Sequence, residues 1–177
     1  MKLTADILGY LIVLISLASP QFPKKTQILT CSALSCLLGA VNVLLLNGGK
    51  ISSVVVLNTI AVINIIMNIG HIIKGNEAST KEKIIFAILY FVGGVLGYRS
   101  LVDILAIAGA MFFVCHVFQT KEQPMRFFSF LNISVYVIYY ALIGSTVVYS
   151  QIIAWISVVV ALIKYNKKDK KAVAEEA

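Results

Sequence analysis

Charge is scarce in this sequence. Asp, Glu, Lys and Arg make up 13% of its 177 residues, against 59% hydrophobic residues, where an ordinary soluble domain carries about 25% charge. So little polar material cannot coat a soluble particle. The natural solvent is lipid, where the backbone must satisfy its own hydrogen bonds in helices or closed barrels. Period-two alternation is missing as well. The apolar runs, rich in Leu and Ile and roughly 15 to 20 residues long, read as helices, not barrel strands.

Other shortages exclude chemistry. The three cysteines, Cys31, Cys36 and Cys115, lie inside apolar segments without CxxC or Cys/His spacing, so they read as small hydrophobes and neither zinc nor a disulfide framework is expected. No His/Asp/Glu cluster, HExxH or Ser/Lys pairing is present to build a catalytic centre. An enzyme is therefore not expected, and neither is a cofactor. The three prolines, Pro20, Pro23 and Pro124, are all assigned to loops. The only carboxylates at spans, Asp6 and Asp103, sit in first turns, where an acid favours the helix dipole. Arg99 stands four residues before Asp103, a spacing that suits an ion pair.

What is present is a series of seven candidate spans: Leu3–Ser19, Thr26–Leu46, Ile51–Ile73, Ile84–Tyr98, Leu101–Phe118, Phe127–Ile143 and Val147–Tyr165. Met1–Ser19 has the apolar core and small-residue end of a signal peptide. Pro20 would follow the cut and the rest is itself polytopic, so this segment reads as a retained helix. "NGGK", Asn47–Lys50, is a glycine-made turn. The tail "NKKDKKAVAEEA" reads as disordered. The net charge of +7 does not point to nucleic acid, because the lysines lie in short loops and the tail. With a cytosolic C-terminus, most basic residues fall inside and only Lys2, Lys50 and Arg99 outside, which agrees with the positive-inside rule and puts the N-terminus outside.

An internal repeat is visible. "ADILG" from Ala5 matches "VDILA" from Val102, so Asp6 falls on Asp103 at an offset of 97 residues, and Lys24 falls on Lys121. Gly48 and Gly144 match at nearly the same offset. A three-helix unit leaves on the side opposite to its entry, so a second copy in the same orientation needs one extra crossing. The expected fold is therefore an all-α membrane protein of seven transmembrane helices in a 3+1+3 arrangement of two parallel three-helix repeats. Residues 1–73 form the first repeat, 74–100 a polar loop and inverting helix, 101–165 the second repeat, and 166–177 the tail.

"SPQFPKK" after the first span resembles the PQ-loop motif, at Pro20 and Gln21, of the PQ-loop and SWEET superfamily. The chain from residue 3 to 170 resembles the YgjV-type bacterial inner-membrane proteins. It shares a first helix ending in a basic turn, a Gly-containing turn after the second, an Asn in "VLNTI" (Val56–Ile60), and a basic tail. "KEQP" stands where a second Pro-Gln pair would be, and helix prolines are missing. The resemblance implies a bacterial inner-membrane location and a solute site between the second and third helices of each half, using Asn amides and an aromatic platform. At the 97-residue offset Asn58 pairs with Trp155 and Asn42 with Tyr139, which makes these the implied substrate-binding pairs.

Polar groups at membrane depth are functional suspects in their own right. Asn64, Asn68 and His71 fall within about 60° of one another on a helix and form a polar stripe, read as the lining of a cavity. Tyr136, Tyr139 and Tyr140 read as an aromatic belt near the outer surface. His116 reads as a hydrogen-bonded structural residue. "GGVLG", Gly93–Gly97, has the spacing that lets another helix approach, from the same chain or from a second copy in a homo-oligomer. With no carboxylate at mid-depth, the sequence favours a facilitative transporter of a small polar solute. The alternative is a non-transporting receptor, scaffold or accessory subunit of the same fold.

Overall fold

The computed structural model describes residues 2–46, 48–51, 53–96, 98, 100–142 and 147–175. Among them the regular structure is helical throughout: α1 (Lys2–Ala18), a 3-10 turn (Ser19–Gln21), α2 (Lys25–Leu46), α3 (Ser53–Ile73), α4 (Thr80–Leu96), α5 (Asp103–Phe118), α6 (Glu122–Leu142) and α7 (Val147–Glu175). Four of these, α2, α3, α6 and α7, are long and apolar enough to cross a bilayer, while α1 and α5 are apolar but shorter. Their outer faces carry exposed Leu14, Ile66, Ile88 and Ile163, a surface suited to lipid and not to water.

Local chemistry explains the helix ends. The chain leaves α2 through Gly48 and Gly49, with φ of 62° and 86°, a backbone that favours glycine. The Gly49 N–H bonds the Leu44 carbonyl at 2.8 Å, which closes the helix in a Schellman cap. α3 ends the same way at Gly75 (φ 69°), where the Asn76 N–H bonds the His71 carbonyl at 2.9 Å. α4 starts in a capping box: Ser79 Oγ accepts from the Glu82 N–H at 3.2 Å, and Glu82 accepts from the Ser79 N–H at 2.6 Å. Ser100 and Asp103 repeat half of this device before α5, the Ser100 N–H donating to Asp103 at 2.7 Å. Asp103 thus caps its helix as expected; Arg99 and Gly144 lie outside the described residues.

Two expectations change. α6 begins at Glu122, five residues before the expected Phe127, so Pro124 lies in its first turn and not in a loop. A first-turn N–H has no intrahelical partner, so proline costs nothing there. α7 runs on to Glu175, so 166–175 continue the helix where disorder was expected. Lys, Ala and Glu propagate a helix readily once one is nucleated.

Each helix packs on its neighbours in the chain, α7 returns to α1, and α3 touches α5. A shift of four helices carries α1 on α2 into α5 on α6, and α2 on α3 into α6 on α7. It also carries α1 on α7 into α5 on α3. α4 is the odd member and packs on α3 and α5. Its Gly93 is buried against α3, where an added Cβ would lie 2.9 Å from Leu57, and Gly94 meets Ile107 of α5 at the same distance. The close approach at Gly93 is therefore within the chain, so Gly93 is not free to seat a second copy; Gly97 lies outside the described residues. One core, Ile28, Leu29, Ile65, Val117 and Met125, joins α2, α3, α5 and α6 near the basic end. A second, Ala61, Phe86, Tyr90, Ala110 and Val114, holds α4 against α3 and α5.

Candidate functional site

The repeat is written into the backbone at the turns after α1 and α5. Ser19 Oγ donates to the Ile28 carbonyl at 3.3 Å; 97 residues on, His116 Nδ1 donates to the Met125 carbonyl at 2.9 Å. The Phe22 N–H to Ser19 carbonyl bond (3.3 Å) recurs from Gln119 to His116 (3.4 Å), and Ile28 to Lys24 (3.2 Å) recurs from Met125 to Lys121 (3.3 Å). Phe22 and Gln119 even share their dihedrals, φ −73°, ψ 140° and φ −65°, ψ 140°. The two turns also meet: the Lys25 N–H donates to Glu122 Oε1 at 3.3 Å, from the first turn of α2 to the first turn of α6. His116 is thus a buried structural histidine, stacked on Phe113 with ring centroids 5.6 Å apart.

Around the first turn four carbonyls, those of Leu17, Pro20, Gln21 and Phe22, are taken by side chains of α6 or α7. Arg126 donates from Nε to Pro20 (3.1 Å) and from Nη2 to Phe22 (2.7 Å). Tyr165 donates to the Gln21 carbonyl (2.6 Å), and Ser157 to Leu17 (2.6 Å). The Gln21 side chain returns a bond to the Ser157 carbonyl at 2.9 Å. The Arg126 guanidinium lies over the Tyr165 ring, 3.9 Å from its centroid, where the π face attracts it. Arg126 is only 2% exposed. The expected start of the sixth span at Phe127 leaves Arg126 outside the helix, whereas it lies inside α6. The motif residues Pro20 and Gln21 are therefore part of a clamp.

The second turn has the same backbone without the clamp. At the 97-residue offset Pro20 and Gln21 correspond to Val117 and Phe118, Arg126 to Leu29 and Ser157 to Ile60. None of these side chains has a donor. "KEQP" lies instead in the loop end and first turn of α6. Between the two turns the structure holds a half-enclosed cavity of about 380 Å³ at the basic end, lined among others by Lys24, Lys25 and Thr26 after the first turn, Phe118, Thr120 and Glu122 at the second, and Asn68, His71, Glu77 and Lys83. Asn68, 4% exposed, contributes the deepest polar side chain; it is the counterpart of Tyr165. His71 Nε2 donates to Glu82 Oε1 at 3.1 Å and ties the end of α3 to the start of α4. The Ser79 N–H and hydroxyl, followed by His71, hold the Glu82 carboxyl below the usual carboxylate range.

One turn deeper on the same stripe, Asn64 is fully buried. Both polar atoms of its amide lack a hydrogen-bond partner, as does the hydroxyl of Tyr90, 2% exposed, on α4. The Asn64 amide lies close enough to the Tyr90 hydroxyl to interact with it.

The remaining candidates sit elsewhere. Asn58 lies in the α2–α3 interface, where a Cβ on Gly39 would be 3.2 Å from its amide nitrogen, and Asn42 faces Gly9 of α1 at 3.7 Å by the same measure. Trp155 lies between α6 and α7; its Nε1 donates to Ser134 Oγ at 2.8 Å and its ring packs on Phe130. Tyr139 reaches Asp103 Oδ1 at 3.5 Å and joins Tyr136 and Tyr140 in an aromatic group. Asn42, Asn58, Tyr139 and Trp155 are not in the lining of the cavity, whereas Asn68 and His71 are. Sequence reasoning missed Arg126, Ser157, Tyr165 and Tyr90. The signal for Arg126 was there: Glu122 and Pro124 form a helix-start pattern, and the repeat sets Arg126 opposite Leu29, inside a helix.

No curated protein and no solved structure matches the chain. A family described as bacterial inner membrane protein, of the YgjV type, matches residues 3–169. With nearly the whole length matched, the chain belongs to the YgjV family of bacterial inner membrane proteins.

Proposed function

We propose that this protein is a facilitative transporter of a small polar solute, built as seven membrane-crossing helices in a 3+1+3 arrangement related to the SWEET and PQ-loop transporters. The N-terminus is outside and the C-terminus cytosolic. The duplicated hydrogen bonds at Ser19 and His116 and the doubled packing pattern support two parallel repeats, with α4 as the inverting helix. The observation that carries the reading is the cavity of about 380 Å³ at the basic end, with the Asn68 amide in its lining. Small-molecule sites occupy about 300–1,000 Å³, and the Asn64–Asn68–His71 stripe leads from this cavity into the helical bundle. An amide offers a donor and an acceptor to hydroxyl or amide solutes. Asn58, Trp155, Asn42 and Tyr139, on the α2–α3 and α6–α7 interfaces, remain the groups that would line the route as the two halves separate.

A second reading is a non-transporting receptor, scaffold or accessory subunit, and the clamp around Pro20–Phe22 favours it, because it pins α1, α6 and α7 together. Uptake decides between the two. Full-length protein in proteoliposomes is given a panel of sugars, amino acids and nucleosides. A flux in wild type that Asn68→Leu abolishes while remaining folded supports the transporter; correctly inserted wild type with no flux for any solute supports the alternative.

A further inference from the structure

We infer that the cavity at the basic end takes a small zwitterion, one carboxylate and one ammonium on a short frame as in a free amino acid, with Lys25 and Lys83 receiving the carboxylate and Glu122 and Glu77 the ammonium. This rests on the part of the proposed function that makes the cavity the solute site, and it names the class of solute. All four side chains belong to the lining. Lys25 stands in the first turn of α2, Lys83 in the first turn of α4 and Glu122 in the first turn of α6, while Glu77 lies in the connection between α3 and α4. Lys25, Lys83 and Glu122 are half-buried, and Glu77 is exposed.

These charges are near one another and not joined. Among the described residues the one ion pair is His71 with Glu82, at 3.1 Å, so none of the four closes a salt bridge with another. Glu77, Glu122 and Lys83 nevertheless lie within electrostatic reach of Lys25, and Glu122 Oε1 is held against the Lys25 backbone N–H at 3.3 Å. Charge then selects the guest. A plain anion gains the lysines but meets two carboxylates, and a plain cation gains the carboxylates but meets two ammonium groups; like charges brought together are costly. A neutral polyol leaves both kinds of charge unanswered. A zwitterion answers both, through hydrogen bonds of the stronger, charged kind. Its size agrees, since about 380 Å³ lies at the small end of the roughly 300–1,000 Å³ range of small-molecule sites. Beyond the charges, Ile72 and Phe118 offer contact to an apolar part of the guest and the Asn68 amide to a polar part.

Binding is tested apart from transport. Full-length protein in lipid nanodiscs is titrated with glycine, alanine, serine and glutamine. Each is set beside its hydroxy acid, which lacks the ammonium, and its amine, which lacks the carboxylate. Glycerol, glucose and uridine complete the set, and saturation-transfer NMR gives the dissociation constants. At least one amino acid should bind roughly tenfold more tightly than both of its analogues. Glu122→Gln keeps an acceptor for the Lys25 N–H and should abolish the preference over the hydroxy acid; Lys25→Met keeps the stem and should abolish the preference over the amine. The hydroxy acid should bind Glu122→Gln no more weakly than wild type, and the amine should bind Lys25→Met no more weakly, which separates a lost partner from a lost fold. Glu77→Gln and Lys83→Met repeat both comparisons from the α4 side. No binding by any amino acid, no preference over the analogues, a preference that survives all four substitutions, or tighter binding of glycerol, glucose or uridine overturns the inference. Amino-acid binding without uptake into proteoliposomes keeps it and removes transport, whereas uptake of sugars or nucleosides alone keeps transport and overturns it.

Discussion

The turns after α1 and α5 share a backbone and differ in what surrounds them. Both close with the same three hydrogen bonds, 97 residues apart. The first is gripped by Arg126, Ser157 and Tyr165, so its carbonyls at Leu17, Pro20, Gln21 and Phe22 all have side-chain partners. At the second the corresponding positions are Leu29, Ile60 and Asn68: two cannot donate, and the third lines a cavity. Polar side chains of α6 and α7 close the first turn, while an opening of about 380 Å³ lies between it and the second. The comparison teaches that two turns can share a backbone and differ in task by side chain alone. The side-chain bonds join the first turn to α6 and α7, while α2, α3, α5 and the first turn of α6 contribute to the lining of the opening.

The difference can be broken from the clamped side. Arg126→Leu leaves the Pro20 and Phe22 carbonyls without partners. At about 1.5–3 kcal/mol for each hydrogen bond to a charged group, it should cost roughly 3–6 kcal/mol, read as the unfolding midpoint in detergent or lipid. Arg126→Lys should recover less than half of this, because an ammonium lacks the planar fork that reaches two carbonyls at once. On the open side, Leu29→Ala removes a fully buried side chain and should cost about 2–5 kcal/mol as a packing loss. It should leave the Ser19–Lys25 turn intact, which circular dichroism with limited proteolysis at that turn would check. Gln21→Ala gives up the bond to the Ser157 carbonyl and should cost about 1 kcal/mol.

The smallest effect concerns pH at the cavity mouth. Bonds from Ser79 and His71 lower the Glu82 carboxyl in the folded state, so the unfolded chain takes up a proton at a higher pH than the folded one. The stabilisation from Glu82 is complete above the ordinary glutamate value of about 4.3. It fades as pH falls below that and is gone once pH drops through the lower folded value. The difference in melting temperature between wild type and Glu82→Gln should therefore be constant at neutral pH and shrink only in this acid window.

Much of this architecture was legible. Apolar run length and the missing period-two alternation led to an all-helical membrane protein, and the Asp6/Asp103 match led to the offset that the hydrogen bonds repeat. Gly48 and Gly49 were readable as a turn because only a positive φ needs glycines there. The start of α6 was not read correctly, because "TKEQP" looks like loop when polarity alone is weighed, and Arg126 was left outside the sixth span. The clamp could not be read at all: its bonds join residues more than one hundred positions apart, and no local pattern encodes such a meeting. The stripe Asn64–Asn68–His71 was visible from helical spacing. That Asn64 lacks a partner while Asn68 lines a cavity depends on what α4 and α5 bring opposite, which periodicity cannot supply.

The most direct test of the difference between the two turns is hydrogen–deuterium exchange on the full-length protein in lipid, following residues 19–22 and 116–119. Corrected for intrinsic rates, the clamped turn should exchange about tenfold more slowly than its counterpart, and Arg126→Leu should bring the two together. Equal exchange in the wild type, or a clamped turn that exchanges faster, would contradict the claim that one turn is locked and the other left open.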